Sequence, residues 1–304
     1  MPLKHVQVRV PATTANLGPG FDCLALALDL WNTAEFSIGG DCMRVKVTGE
    51  GEGKLPEDQE NLVMRSFLYF YETQGLVPPT GLQVVCHNDI PVNSGLGSSA
   101  AAALAGLLGA NVLSGMQHST AQLLTLATKI EGHPDNSAAA LFGGLVVVIT
   151  DNEIPVVRRF DPYPWNLALI LPEIHLPTPV TRAALPKEVS LKETVYNLGR
   201  VALVVEALRT GDADLLEKSM SDRLHEPYRL PLIPGAAEAL QAARRSGARA
   251  AVISGAGPGL LIISDGDLDP ALRAMGSIFS DIQLPFRTLH CAINNKGAQI
   301  INFS

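Results

Sequence analysis

Hydrophobic and polar residues alternate with strand geometry at several points in the first half of the chain. Val6, Val8 and Val10 fall on one face and His5, Gln7 and Arg9 on the other, which predicts a strand with one buried side. Met43, Val45 and Val47 repeat the pattern, as do Leu82, Val84 and Cys86. Between those two runs the period changes. From Asn61 to Gln74, Leu62, Val63, Phe67 and Tyr71 recur at helical spacing, and the pattern stops at Gly75. Helices are expected again over residues 98–108 and 120–131, the second capped by Ser119, and Leu145–Ile149 reads as a buried strand.

The second half is organised differently. Leu167–Leu171 reads as a strand, and residues 191–209 as a helix with Val195, Leu198, Ala202, Val205 and Leu208 on its apolar stripe. Asp212 is placed to cap a helix running to Leu224, and residues 235–246 form an amphipathic pattern stopped by Gly247. Ala251–Ser254 and Leu260–Ile263 are expected strands on either side of a glycine turn. Arg287–Ile293 and Ala298–Phe303 bracket Asn294–Gly297, a hairpin signal. Residues 151–164, rich in proline and charge, mark the expected boundary between units 1–160 and 161–304. Strands and helices mix without regular βαβ alternation, an order that reads as α+β.

Composition narrows the possibilities. With 304 residues, 47% hydrophobic and 17% charged, the chain can bury the cores of two domains. Its net charge of −7 argues against nucleic acid and anionic membranes as general partners, while leaving room for a local anion site. Met1–Val10 alternates rather than forming a signal-peptide core, and no apolar run reaches the roughly 18 residues that a membrane helix needs. Cys23, Cys42, Cys86 and Cys291 lack CxxC spacing and read as buried free thiols of a cytoplasmic protein.

Candidate chemistry concentrates in a few segments. Pro91, Asn93, Ser94, Gly95, Leu96, Gly97, Ser98 and Ser99 belong to a glycine loop that runs into a helix start. Consecutive amides in such a turn, together with the positive end of the helix, form an anion cradle. No Lys-Ser or Lys-Thr follows Gly97, so it is not a Walker loop. Residues 11–22 hold Asn16 and Asp22 at the end of the first strand, where both are also ordinary turn formers. Glu131 sits in the last turn of its helix, where the dipole disfavours a carboxylate, and this points to a separate use such as Mg2+ ligation. Ser254–Gly259 offers a weak GxGxxG match, but the strand expected after it excludes a dinucleotide fold.

Three of these segments, PATTANLGPGFDCLALAL (11–28), PVNSGLGSSAAA (91–102) and SGAGPG (254–259), resemble the three motifs of the GHMP small-molecule kinases. The first of them, with EGHPDN (131–136), PVTRAALP (179–186) and EPYR (226–229), is similar to the homoserine kinase branch, and the likeness spans essentially the whole chain. The resemblance implies a two-domain α+β fold, with a left-handed βαβ crossover in the N-terminal domain and a ferredoxin-like C-terminal domain. It implies ATP- and Mg2+-dependent phosphorylation of the side-chain hydroxyl of L-homoserine, for threonine synthesis, by a homodimer.

By the same resemblance, Pro91 and Asn93–Ser99 would surround the ATP phosphates, with Ser98 and Glu131 at the metal. Asn61 would contact adenine; its other reading is a helix N-cap. Asn16, Asp22, His133, Asn136, Arg182, Arg229 and Gly255 would hold the amino acid. Asp22 suits an ammonium, and arginine offers a bidentate fork to a carboxylate. His133 has a second reading as a partner of the preceding helix dipole. Ser98, Glu131 and Asn136 would act in catalysis. Mevalonate-type relatives carry an aspartate where this chain has Asn136, which leaves open whether any side chain acts as a base.

Overall fold

Two sheets, each backed by helices, organise the computed structural model, which describes residues 3–304; Met1 and Pro2, the start of the expected 1–160 unit, lie outside the described residues. The first sheet begins with β1 (His5–Ala15), β2 (Leu24–Ile38) and β3 (Met43–Gly49). The helix α1 (Leu62–Thr73) crosses from β3 to β4 (Leu82–Asn88), and these two strands pair in parallel with Val45 opposite Val84. Then follow α2 (Ser98–Leu113), α3 (Thr120–Glu131), α4 (Asp135–Phe142), β5 (Leu145–Asp151) and β6 (Ile154–Phe160). Ser119 caps α3 through a full capping box with Gln122, as its sequence signals. The helix α2 runs five residues past its expected end, because the Ala/Leu run meets no stop signal before Ser114-Gly115, and most of it is buried.

The second sheet holds β7 (Asn166–Pro172), β8 (Ala250–Ile253), β9 (Leu260–Ser264) and β10 (Phe286–Cys291). Between β7 and β8 lie α5 (Thr178–Ala183), α6 (Leu191–Thr210), α7 (Ala213–Ser219), α8 (Glu226–Arg229) and α9 (Ala236–Arg245); α10 (Asp269–Asp281) links β9 to β10. All pairings are antiparallel in the order β10-β7-β9-β8. That is the β-α-β-β-α-β topology of a ferredoxin-like unit. The glycine turn at 254–259 joins two antiparallel neighbours, not a strand to a helix, as expected.

Several expectations need correction. The Asn294–Gly297 turn does not make a hairpin. Strand β10 pairs with β7 in the second sheet, while β11 (Gln299–Phe303) returns to pair with β1 in the first and so crosses the expected division at residue 160. The turn is clasped to the first sheet: Asn294 N donates to Ala27 O, Gly144 N to Asn294 O, and Ala298 N to Ala140 O. The helix after Asp212 ends at Ser219, because the Asp222 carboxylate accepts the amides of Leu224, His225 and Glu226 and starts a new turn. In β5 Ile149 is exposed, and Cys42 is exposed among the four free cysteines. Strand β2 escapes the alternation rule because Leu24–Leu28 are buried on both faces. On α6 the buried face is Asn197, Val204, Ala207 and Leu208, and the expected stripe at Val195, Leu198 and Ala202 faces solvent.

Asn294 Oδ1 accepts from both Lys296 N and Gly297 N, the second of these buried. Asn294→Ala leaves two amides without their acceptor and is expected to cost about 1–3 kcal/mol. Urea unfolding followed by circular dichroism measures this; an unchanged midpoint would show that the turn does not help dock β11.

Candidate active site

Three stretches of backbone, distant in sequence, meet at the end of β1. Thr13 N donates to Leu96 O (3.0 Å), Gly255 N to Ala15 O (3.0 Å), and Gly259 N to Ser94 O (3.1 Å). The Ser254 hydroxyl donates to Gly95 O (2.8 Å) and stands 2.9 Å from Thr14 Oγ1. This approach leaves no space for side chains at two loop positions. A Cβ on Gly95 would strike Ser254 O, and one on Gly97 would strike Thr13 Oγ1. Both glycines also have positive φ, 79° and 68°.

Gly97 is the N-cap of α2, and it offers the helix no side-chain cap, nor does the first turn carry an acidic residue. The first amides of α2 are left for an anion. They open onto a cavity of about 360 Å³. Asn93, Ser94, Gly95, Leu96, Gly97, Ser98 and Ser99 line it, together with Asn16, Asp22, Asn61, Glu131, His133, Asn136, Arg182, Arg229 and Gly255. Of the expected site residues only Pro91 is outside the lining. Its carbonyl accepts the Ser94 hydroxyl (2.7 Å), so it closes the loop from behind.

Leu55, Pro56, Leu62, Val92 and Ala102 give the lining an apolar part. Asn61 sits there as the N-cap of α1. Its Oδ1 accepts from Val63 N (3.0 Å) and its Nδ2 donates to Pro56 O (2.7 Å). The capping reading holds, and the residue borders the cavity as well.

Another part of the lining is charged. Arg182 on α5 grips Asp22 with two hydrogen bonds, of 3.0 and 2.8 Å. Asp22 has a φ of 54° and is held through its amide by Asn16 Oδ1 (3.0 Å). Asn16 Nδ2 and Arg229 Nη1 both donate to Gly255 O, at 2.7 and 3.1 Å. Arg229 is 1% exposed, forms no ion pair among the described residues, and its Nε has no partner. Burial first, and then the nearby Arg182 cation, push its pKa below the usual arginine value. The charges of Asp22, Asp135 and Asp222 offset this only in part, and none of the three pairs with it directly, so the buried guanidinium suits an incoming anion. Phe21 lies beneath both cations, its ring centre 5.7 Å from Arg182 and 5.1 Å from Arg229.

Glu131 is the last residue of α3 and accepts the Ser99 hydroxyl at 2.6 Å. Burial raises its pKa, an influence only partly offset by that hydrogen bond. His133 Nδ1 meets Asp135 Oδ1 at 2.6 Å, and Asp135 also accepts from Asn136 N. The Nδ1 contact leaves Nε2 as the free nitrogen of the ring. Asn136 Oδ1 accepts from Thr13 Oγ1 at 2.8 Å, which leaves its NH₂ group to donate.

Sequence reasoning missed the layer behind Arg229. Asp222, fully buried, also accepts from Asn197 Nδ2 (2.6 Å). Burial lowers the pKa of His225 and favours its neutral form, which donates Nε2–H to Gly18 O (2.8 Å) and stacks on Phe21 at 5.3 Å. The only hint in the sequence was Pro227 at a helix start.

Comparison with known proteins gives a consistent picture. Residues 61–144 match the family model described as GHMP kinases N terminal domain, and residues 204–281 match GHMP kinases C terminal. The chain is 42% identical to a homoserine kinase of Moorella thermoacetica over 97% of its own length and 99% of that protein. It is 39% identical to one of Desulfitobacterium hafniense, over 97% and 100%. A crystal structure of homoserine kinase from Cytophaga hutchinsonii superposes with a TM-score of 0.86 at 31% identity, covering 98% of each chain.

For His133, burial is the largest influence and would lower the pKa, but the hydrogen bond and charge of Asp135 outweigh it and leave a net rise above 6.5. An NMR titration is expected to find the ring above that value in the free protein and below it in Asp135→Asn. Because the folded pKa is the higher one, the stabilisation is complete below the unfolded value and fades as pH rises through the folded one. The stability gap between wild type and Asp135→Asn is therefore expected to be wider on the acid side of neutrality. A ring that titrates alike in both proteins would rule out the coupling.

Proposed function

The chain belongs to the GHMP kinase family, in its homoserine kinase branch, and we propose that this cavity transfers the γ-phosphoryl group of ATP to the side-chain hydroxyl of L-homoserine, on the route to threonine. The observation that carries the reading is Arg229, buried in the cavity without a carboxylate beside the exposed-edge pair Asp22–Arg182. An α-amino acid brings an anion and a cation at fixed separation. Its carboxylate suits Arg229 and Arg182, whose forks match it bidentately, and its ammonium suits Asp22. Asn16, Asn136, His133 and Gly255 complete the acceptor site in this reading.

The loop 93–99 and the first amides of α2 suit the phosphates, and the apolar part with Asn61 suits adenine. Glu131 is one half-buried carboxylate beside Ser98 and Ser99, at the rim of that cradle. Such a set fits Mg2+, which keeps several waters and is shared with substrate phosphates. Glu131 and Ser98 would hold the ion, which when bound neutralises charge on the transferring group. Among the described residues no group of three or more His, Cys, Asp or Glu side chains could hold a metal ion.

In the transfer, the homoserine oxygen forms a bond to the γ-phosphorus as the bond to the β–γ bridging oxygen breaks, that oxygen leaves with ADP, and the hydroxyl proton passes late to an oxygen of the transferred phosphoryl group. The transition state is loose, so positioning and charge neutralisation do most of the work. Asp135 raises the pKa of His133 against the burial of the ring and so favours the form that donates to substrate. Transfer without a side-chain base is the reading adopted, with Asn136 as a donor that orients the acceptor. Two domains divided near residue 160, with β11 returning to the first, a cytoplasmic setting and a homodimer complete the proposal; among the described residues no helix is long and apolar enough to cross a membrane.

Coupled ADP release with homoserine, mevalonate and galactose tests the activity, and turnover confined to homoserine is expected. Equal turnover of mevalonate would overturn the acceptor assignment. Asp22→Asn is expected to raise the homoserine KM roughly 30-fold with little change for ATP, since it removes the charge facing the ammonium. By the same logic 4-hydroxybutyrate should be a very poor acceptor. Glu131→Gln is expected to lower kcat by at least about 100-fold with partial recovery at high Mg2+; a wild-type kcat in this variant would remove Glu131 from the metal site.

A further inference from the structure

Helix α6 presents two faces with different jobs. Its inner face holds Asn197, whose amide donates to Pro19 O and Asp222 and whose oxygen accepts from Arg223 N, so it supports the loop that carries Phe21 and Asp22. Its outer face is apolar and in contact with solvent. Leu191 is 79% exposed, Val195 59%, Leu198 66% and Leu203 46%, with Ala202 exposed between them. Positions 191, 195, 198 and 202 recur at the spacing of a helix-pairing seam. Monomeric proteins rarely leave a continuous apolar surface of more than a few hundred Å² uncovered.

Two details single out what covers this face. Gly199 lies mid-helix on the exposed side with open space around it, although glycine is the poorest residue there after proline. Among the described residues nothing lies within 4 Å of where its Cβ would stand. A second helix crossing at that point could come close only because no side chain stands in the way. The face is also complementary to itself. About an axis through Gly199, an antiparallel copy sets Val195 against Leu203 and exposed Lys192 against Glu206, whose partner within the chain is Arg209.

We propose that the outer face of α6 is a two-fold interface, on which a second copy of this chain lays its own α6 antiparallel across Gly199. The interface is isologous, so each apolar row covers the other and each Lys192 reaches the opposite Glu206. A stable dimer covers roughly 800 Å² on each partner, so residues next to the helix, Val189 among them, join the contact. The proposal rests on the homodimer named above and gives it a face. It also puts the dimer contact directly behind the acceptor end of the cavity.

Sedimentation velocity of the full chain, with Leu198→Lys and the pair Lys192→Glu and Glu206→Lys, tests it. Wild type is expected to be a dimer, and Leu198→Lys to dissociate with a Kd at least about 30-fold weaker while keeping its circular dichroism. Each charge reversal should weaken the dimer, and the double reversal should restore it. In a Cys42→Ser background, Gly199→Cys should form a disulfide-linked dimer under mild oxidation, whereas Thr210→Cys should not. A monomeric wild type would overturn both the homodimer and this face. A dimer untouched by Leu198→Lys and not linked through position 199 would overturn the face alone. Homoserine phosphorylation, assayed on the same samples, reports on the catalytic reading independently.

Discussion

The contact of three backbone segments around the Ser254 hydroxyl sets the geometry of everything else in the cavity. The glycine loop comes from the first sheet and the 254–259 turn from the second, yet Ser254 O lies where a Cβ of Gly95 would be, and Ser94 O where one of Gly259 would be. Thr13, Thr14 and Ala15 at the end of β1 fill the third side through hydrogen bonds to Leu96 O, Ser254 Oγ and Gly255 N. Backbone in such contact cannot slide without breaking several buried hydrogen bonds together. The first amides of α2 and the carbonyl of Gly255, which holds Asn16 and Arg229, are therefore fixed relative to each other. In the proposed reaction these are the donor and acceptor ends of a phosphoryl transfer, where misplacement by an ångström is costly.

Charge is arranged around this frame with deliberate imbalance. Asp22 and Arg182 satisfy each other, whereas Arg229 is buried without a carboxylate and Glu131 is pushed toward protonation by burial. Each lone charge is costly in the free protein, and in the proposed reaction a ligand of opposite sign balances it. The layer behind makes the Arg229 position possible. Asp222 collects the amides that begin α8, and the buried Glu226, its pKa raised to about 7 by desolvation, accepts from Ile253 N next to the glycine turn. The turn and the arginine are thus tied to the same short helix.

Much of the first half was legible because its signals are local. Val6, Val8 and Val10, the capping box at Ser119 and the stop at Gly75 act within a few residues, and the glycine loop announces itself by composition. The motif residues converge on one cavity as the family likeness implies, Pro91 excepted. What escaped depends on contacts that no short window contains. The Asn294 turn reads as a hairpin, and only its bonds to Ala27, Gly144 and Ala140 send β11 to the first sheet. On α6, Asn197 faces inward because Asp222 and Pro19 need its amide, which turns Val195 and Leu198 to solvent against the rule that apolar residues face the core. Asp222 and His225 carried no motif, and their role follows only from complete burial.

The central claim is that one zwitterion is read by three charges held on a rigid backbone junction. A crystal structure of the chain with L-homoserine and a non-hydrolysable ATP analogue tests it most directly. The ammonium is expected within hydrogen-bond distance of Asp22, the carboxylate on Arg182 and Arg229, the side-chain hydroxyl toward the γ-phosphate, and the Ser254 contacts unchanged. Homoserine bound with its carboxylate on the amides of α2, or with Arg229 still lacking an anion, would contradict it.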